Sequence, residues 1–345
     1  MRDFIYSLMT DRRKGLIFIP LKSILYILSL AYGLGIFVRT LLYKFRIFKI
    51  HKVPIRIISV GNLTLGGTGK TPFVMRLARI LEHELKRNVA VLIRGYGWDE
   101  QTMLKKNLPD IPILVGQDRA QSSHKAIKLY GSDTAVLDDG FQHWELERDL
   151  NIVLIDSGNP FGNGHLFPRG ILRESVKALK RADIVVLTKV NKKKVDVDLL
   201  KKVVKDINDK AIFLEVVHQP NHLYDVKARE LLGVPFIKSK NVVLVSSIGD
   251  PVYFEQTVKD LGATVVDHFV FSDHYNYTKR DIDRIMAKCA GRKFDLMLTT
   301  EKDIVKLNRL SLSFEGYTLM TLGIDMEIAE GREILIARLH SLYNS

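Results

Sequence analysis

Residues 61–72, GNLTLGGTGKTP, constrain the fold more than any other part of this chain. They lie between an apolar β-rich run at 55–60 and a segment in which Phe73, Val74, Leu77, Ile80, Leu81 and Leu85 form a helical stripe. A glycine-rich turn from strand to helix aims backbone N–H groups and the positive end of the helix at one spot, which suits a phosphate. The generic loop reads G-x-x-x-x-G-K-[ST]. Gly69, Lys70 and Thr71 satisfy its end, while Thr64 occupies its first glycine position. Cradling phosphate and holding a magnesium ion depend on Gly66, Gly67, Gly69, Lys70 and Thr71 more than on glycine at 64. Thr64, Leu65, Gly66, Gly67, Thr68, Gly69, Lys70 and Thr71 are therefore the candidate nucleotide-binding residues.

Further short apolar runs at 89–93, 111–115, 134–137, 152–155, 184–187 and 212–217 alternate with helical patterns, which predicts a parallel, doubly wound sheet. The pattern loosens at 218–240, a candidate linker, and resumes with strands at 242–245, 264–266 and 296–299. Helices are expected near 253–261 and 279–289, with a terminal one from about Arg332. At 345 residues and 46% hydrophobic content, two domains are expected. The expected division is an N-terminal segment at 1–50, a core domain at 51–225 and a smaller α/β domain at 226–345. The single cysteine, Cys289, lies in a helical pattern and reads as a buried small hydrophobe in a reducing compartment.

A formal charge of +13 suggests an anionic partner. No aromatic and basic motif for nucleic acid accompanies it. Arg12, Arg13 and Lys14 precede a stretch at 23–38 without a charged residue, and Arg39, Lys44, Arg46 and Lys49 follow. That stretch spans about 24 Å as helix, short of the roughly 30 Å hydrocarbon core, and Pro20 and Lys22 are expected to interrupt anything longer. An interfacial anchor, a membrane span and a buried structural helix all remain open, the anchor being favoured.

A phosphate loop calls for an acidic residue at the end of another strand, and AVLDDGFQH supplies Asp138 and Asp139. Together with Thr71 they are the candidate magnesium ligands. Gly140 gives a turn after which Gln142 and His143 could face the same cleft. A guanine-specific site carries an acid after N/T-K-x; here Asn191 follows Thr188, Lys189 and Val190, which favours ATP.

The motifs SVGNLTLGGTGKTP, RGYG, DDGFQH, RDLNIVLID, PFGNGHLFPRGILRE, SDHYNYT and TTEKDIVKL, in this order, resemble the tetraacyldisaccharide 4′-kinases of Gram-negative bacteria. The resemblance runs from the N-terminal apolar helix almost to the C-terminus, and Ser or Thr at the first loop position is usual in that family. It implies a P-loop NTPase-like fold: a doubly wound parallel sheet, a second, smaller α/β domain that closes the active-site cleft, and an N-terminal membrane-associating helix. The implied reaction is ATP- and Mg²⁺-dependent phosphorylation of the 4′-hydroxyl of an acylated glucosamine disaccharide 1-phosphate, giving lipid IVA, on the cytoplasmic face of the inner membrane. No protein partner is implied.

Carried over by motif, Lys70 contacts the nucleotide phosphates, and Asp99 acts as base with His274 of SDHY as its partner. Arg119 and Asp139 match further catalytic positions; Arg94, Tyr96, Gln142, His143, Arg173 and Glu174 match substrate-facing ones. Trp98-Asp99-Glu100-Gln101 stands where relatives carry a GDEP-like element, after a shortened segment, and Arg169 replaces a small residue. A nucleotide-switched, membrane-targeting GTPase is the alternative of another class.

Overall fold

The computed structural model describes residues 2–95, 97–191, 195–309, 314 and 316–344, with side chains excepted at residues 2 and 3. The chain divides into two compact units, one of residues 1–96, 108–217 and 326–345, the other of 97–107 and 218–325. Neither is a contiguous block of the kind expected from sequence.

In the first unit, α1 (Arg2–Met9) and α2 (Ile19–Lys44) precede β1 (Arg56–Asn62) and α3 (Lys70–Arg79), followed by β2 (Val89–Ile93). A helix of the second unit, α4 (Trp98–Asn107), then interrupts. The first unit continues with β3 (Ile113–Val115), α5 (Arg119–Tyr130), β4 (Thr134–Asp138), β5 (Leu150–Asp156), β6 (Ile184–Thr188) and α6 (Val197–Lys205). Its strand order is β3-β2-β4-β1-β5-β6, ending on the first residues of β7 (Ile212–Asp225), and every neighbouring pair is parallel. Parallel strands covered on both faces are apolar throughout. Thus β2 and β6 are buried along their whole lengths, with Ala90, Leu92, Ala135 and Leu137 in one core and Val153, Ile155, Val185 and Leu187 in another.

The second unit holds α4, β8 (Glu230–Leu232), β9 (Asn241–Ser246), α7 (Pro251–Asp260), β10 (Thr264–Val270), α8 (Lys279–Cys289), β11 (Leu296–Thr300), α9 (Glu301–Arg309) and β12 (Leu319–Glu330) up to Asp325. Its strands run parallel in the order β10-β9-β11-β12. Alternation along β9 sends Val242 and Leu244 to one core and Val243 and Val245 to the other, where Cys289 is also buried. Chain after β12 returns to the first unit as α10 (Arg332–Ser341).

Three expectations are corrected here. The loosened segment is not simply a linker, because β7 continues to Asp225 and pairs antiparallel with β8. Its polar residues hid the strand; only Leu223 is fully buried there. The strand β12, which the alternation did not reveal, precedes the terminal helix. Finally, Pro20 does not interrupt the apolar helix. It sits in the first turn of α2, where its missing N–H has no helical partner to lose.

The helix accordingly runs 26 residues, about 39 Å at 1.5 Å per residue. With the turn before it, Leu16–Lys44 is long and apolar enough to cross a membrane, at mean hydropathy 1.8 and with 6% of its most apolar window buried. The helix is therefore not buried within the core of its own chain. Ile24, Ile27, Leu28, Leu30, Leu34 and Phe37 are exposed.

This segment touches its unit at the loop of residues 160–173 and, through the buried Tyr43, at Trp144 and Glu145. Arg169 pairs with Asp11 at 3.0 Å, and Asp11 also accepts from Lys22 and from Asn163. Partial burial opposes ionisation of Asp11, but hydrogen bonds from Lys22, Asn163 and Arg169 hold its carboxyl at about 2. Arg169 is thus not a freely solvated charge but a partner of Asp11. Farther along α2, Tyr26 packs edge-on against His165, and the Tyr32 hydroxyl donates to the Arg173 carbonyl at 3.1 Å.

Candidate active site

The glycine-rich loop leaves β1 at Asn62 and enters α3 at Lys70, with Gly66 at φ 115° and the helix-capping Gly69 at φ 85°. Such backbone angles favour glycine, which explains those two positions. Thr64 is different. It bridges antiparallel to Leu172, is buried, and is not among the residues with positive φ, so a side chain costs it nothing. The flanking bonds Leu65 N–H to Ile171 O and Arg173 N–H to Leu63 O, each 2.7 Å, tie the loop's start to the 171–173 segment.

Residues that sequence reasoning passed over brace the loop from within. The Asn62 amide donates to Thr64 O at 2.8 Å and to the Thr68 hydroxyl at 3.0 Å, and its oxygen accepts from Lys70 Nζ at 3.2 Å. From the end of β6, the Thr188 hydroxyl donates to Thr68 O and Lys189 Nζ to Gly67 O, both at 3.1 Å. Lys189 also pairs with Asp156 at 2.5 Å. The residue compared with a guanine-reading motif is therefore a support of the phosphate loop.

Beside β1, β4 delivers the acidic pair. Asp138 Oδ2 accepts from the Thr71 hydroxyl at 3.2 Å. Asp139, at φ 55°, pairs with Arg173 at 2.6 Å and lies 3.7 Å from Lys70 Nζ. Burial opposes its ionisation, but the charges of Lys70 and Arg173 outweigh that and hold its carboxyl below the usual range. Arg119, at the start of α5, is 3% exposed and donates to Asp138 O and Gly116 O. Burial lowers its pKa to about 10 even with both carboxylates nearby.

The turn after Asp139 is packed tightly: a Cβ on Gly61 would lie 2.6 Å from Phe141 Cβ. Gln142 donates to Asn62 O at 2.9 Å and accepts from Arg173 at 3.4 Å. Burial pushes the His143 imidazole down to about 4, so it is neutral at pH 7. Arg148, unremarked in RDLNIVLID, donates one Nη1 to the carbonyls of Gly140, Phe141 and His143 and so shapes this turn. Glu174 is buried against Arg181 at 2.7 Å. Arg94 is exposed at the end of β2, and Tyr96 lies outside the described residues.

A second cluster belongs to the other unit. Asp99, in the first turn of α4, is 2% exposed. Its Oδ2 forms ion pairs with His274 Nδ1 at 3.5 Å and with Lys306 Nζ at 3.3 Å. Burial works against ionisation, but His274, Lys302 and Lys306 overcome it and hold the carboxyl well below its usual range. Gly97 makes room: at φ 95°, its added Cβ would stand 2.7 Å from Asp99 Oδ1. His274 has φ 61°, a conformation rare outside glycine and found at functional sites.

A glycine-rich loop between a central parallel strand and its helix, with a carboxylate from the adjacent strand bonded to the loop's threonine, defines a phosphate-loop protein of the NTPase-like class. Within that class the chain belongs to the LpxK family, tetraacyldisaccharide-1-P 4′-kinase, whose family model matches residues 21–342. A tetraacyldisaccharide 4′-kinase of Syntrophus aciditrophicus is 36% identical over 318 residues, covering 84% of this chain and 85% of that protein. One from Elusimicrobium minutum is 37% identical over 341 residues, covering 90% and 89%. The "apo" form of LpxK from Aquifex aeolicus, crystallised in complex with ATP, superposes with a TM-score of 0.72 at 28% identity, covering 93% of this chain and 99% of that one.

Proposed function

We propose that this chain is a lipid kinase that transfers the γ-phosphoryl group of ATP to the 4′-hydroxyl of a tetraacylated glucosamine disaccharide 1-phosphate. The observation that carries the reading is the buried Asp99, held ionised beside His274 and Lys306, in a chain that also holds a phosphate loop. A GTPase switch needs the loop but has no use for such a carboxylate, and the family relationship also disfavours it.

Phosphoryl transfer asks the protein mainly for positioning and charge stabilisation. Lys70 and the N-terminal turn of α3 bind the β- and γ-phosphates, with Asn62 and Lys189 keeping the loop in shape. The Thr71 hydroxyl and the carboxylates of Asp138 and Asp139 are hard oxygen donors, a set that fits Mg²⁺, an ion that commonly takes its other ligands from phosphates and water. When bound, that ion neutralises charge on the phosphate oxygens. Arg173 and Arg119 supply fixed positive charge around Asp139 and Asp138. Asp99 Oδ2 takes the proton of the attacking hydroxyl as that oxygen bonds to the γ-phosphorus and the bond to the bridging oxygen of ADP breaks.

An acceptor with four acyl chains stays in a bilayer, which gives the exposed face of α2 its purpose. The basic residues Arg12, Arg13 and Lys14 before that helix, Arg39 and Lys44 toward its C-terminal end, and Arg46 and Lys49 beyond it favour anionic lipid on the cytoplasmic face, where ATP is present. Removing residues 1–50 is expected to release the protein from anionic vesicles; undiminished co-sedimentation would count against this role. The activity itself is tested with ATP or GTP labelled at the γ-phosphate and the acylated disaccharide 1-phosphate. Label should pass from ATP to the lipid, and its absence from the lipid fraction would refute the assignment.

A further inference from the structure

An anchor needs only an apolar face, yet α2 also carries Tyr32 and Tyr43, and each lands on a segment that holds residues of the phosphate side of the site. Their spacing is close to three helical turns, so they share one face about 16 Å apart, the face on which Leu25 and Ser29 are also buried. Beside Tyr32 the helix comes close to its unit. A Cβ on Gly33 would stand 2.9 Å from Leu166 Cδ1. Tyr32 itself packs edge-on against Phe167, with ring centroids 5.6 Å apart, and its hydroxyl donates to the Arg173 carbonyl at 3.1 Å. The N–H of that same residue donates to Leu63 O, at the start of the phosphate loop. Arg173 is thus held by its backbone between the phosphate loop and α2, while its guanidinium holds Asp139 at 2.6 Å and donates to Gln142 at 3.4 Å.

Tyr43 meets the other segment, the turn that follows Asp139. It is 4% exposed and stacks on Trp144, with centroids 6.0 Å apart and the rings 16° from parallel, and its hydroxyl is 3.4 Å from Glu145 Oε1. Trp144 also lies under the Arg181 guanidinium, 4.3 Å from the ring centroid, and Arg181 is fixed by the buried Glu174 at 2.7 Å. Stacking between a cation and an aromatic ring, or between two rings, fixes the plane of an indole as well as its place. The residues immediately before Trp144 are Gln142, which donates to Asn62 O, and His143. Both tyrosines therefore act on one short circuit of side chains, reached from two directions: Arg173 through its carbonyl, and the 140–144 turn through Trp144.

We propose that Tyr32 and Tyr43 are positioning residues, through which the docked α2 sets Arg173 and the 140–144 turn and so fixes Asp139 and Gln142 beside the phosphate loop. The inference rests on the reading of that loop and Asp139 as the phosphate-handling side of a lipid kinase. It gives α2 a second task, separate from holding the protein at a bilayer: the helix that meets the lipid is also a wall of the catalytic unit. Phosphoryl transfer depends on groups held in place in advance, so a displacement of Arg173 by a fraction of an ångström is felt in turnover more than in binding.

The test uses the full-length enzyme with the acylated disaccharide 1-phosphate dispersed in detergent, so that capture by a bilayer does not limit the rate. Tyr32→Phe removes one oxygen and keeps the contact with Phe167, so the fold survives. Tyr32→Phe and Tyr43→Ala should each lower kcat by about 3- to 30-fold, with KM for the lipid changed less than about twofold and co-sedimentation with anionic vesicles unchanged. Tyr43→Phe keeps the stacked ring and should restore kcat to within about twofold of wild type. Trp144 supplies a readout apart from turnover: with Trp98→Phe it is the single tryptophan, and adding Tyr43→Ala should move its emission to longer wavelength. Wild-type kcat in both Tyr32→Phe and Tyr43→Ala overturns the proposal, as does an unmoved Trp144 emission. A raised KM for the lipid at unchanged kcat also overturns it, because the tyrosines then only hold the acceptor. If the wild type passes no label to the lipid, the assignment of function itself fails; if it does and the variants match it, only the present inference fails.

Discussion

Lys70→Met should lower kcat by about 1,000-fold or more, with the protein still folded and still bound to membranes. The side chain is mostly buried between Asn62 Oδ1 at 3.2 Å and Asp139 at 3.7 Å, so its ammonium is held in place before any nucleotide arrives. Charge fixed in advance stabilises a transition state without reorganisation at the moment of reaction. Methionine keeps much of the volume and loses the charge. Single-turnover measurement of label transfer from ATP to the lipid checks this, and a kcat within tenfold of wild type would remove Lys70 from the chemistry.

Asp99→Asn is expected to cost about 100- to 10,000-fold in kcat, the range associated with positioned general bases. The amide fills the same space but accepts no proton. It also removes a counter-charge from Lys306, which is buried and keeps Asp303 within ion-pair distance. A modest loss of thermal stability should accompany the kinetic effect.

The sign of the pH dependence follows from the direction of the shift. The folded-state pKa of Asp99 is depressed below its unfolded value of about 4. Its stabilising contribution is therefore fully present at neutral pH and is lost only as pH falls through the folded-state value. Acid unfolding of Asp99→Asn should accordingly be less steep than that of the wild type below about pH 4, while the two curves run parallel between pH 6 and 8. Identical slopes at low pH would show that Asp99 is not held ionised by its surroundings.

Much of the nucleotide side was legible because its signals are local. A strand, a glycine turn and a helix are consecutive in sequence, and DDG after an apolar strand is consecutive too. The positions of Asp138 against Thr71 and of Asp139 against Lys70 then follow from placing β4 next to β1. Thr64 was the exception: its tolerance of a side chain comes from pairing with Leu172, more than a hundred residues away. Lys189 stands in the sequence where a guanine-reading motif is sought, and nothing in its neighbours indicates that it donates to Gly67 O. Likewise Pro20 reads as a helix breaker until the position of the helix start is known.

By itself, the sequence determined the periodicities of strand and helix, the phosphate loop and its acidic partner, and the family to which the motifs belong. These depend on spacing along the chain, where backbone geometry translates composition directly into structure. Only the tertiary structure decided which unit each segment joins: α4, lying between β2 and β3 in sequence, packs with residues 218–325. That packing brings Asp99, His274, Lys302 and Lys306 together from three separate stretches of chain. Whether a carboxylate is buried, paired or left with an open oxygen is a property of such long-range contacts, because burial and charge act through space and not along the chain.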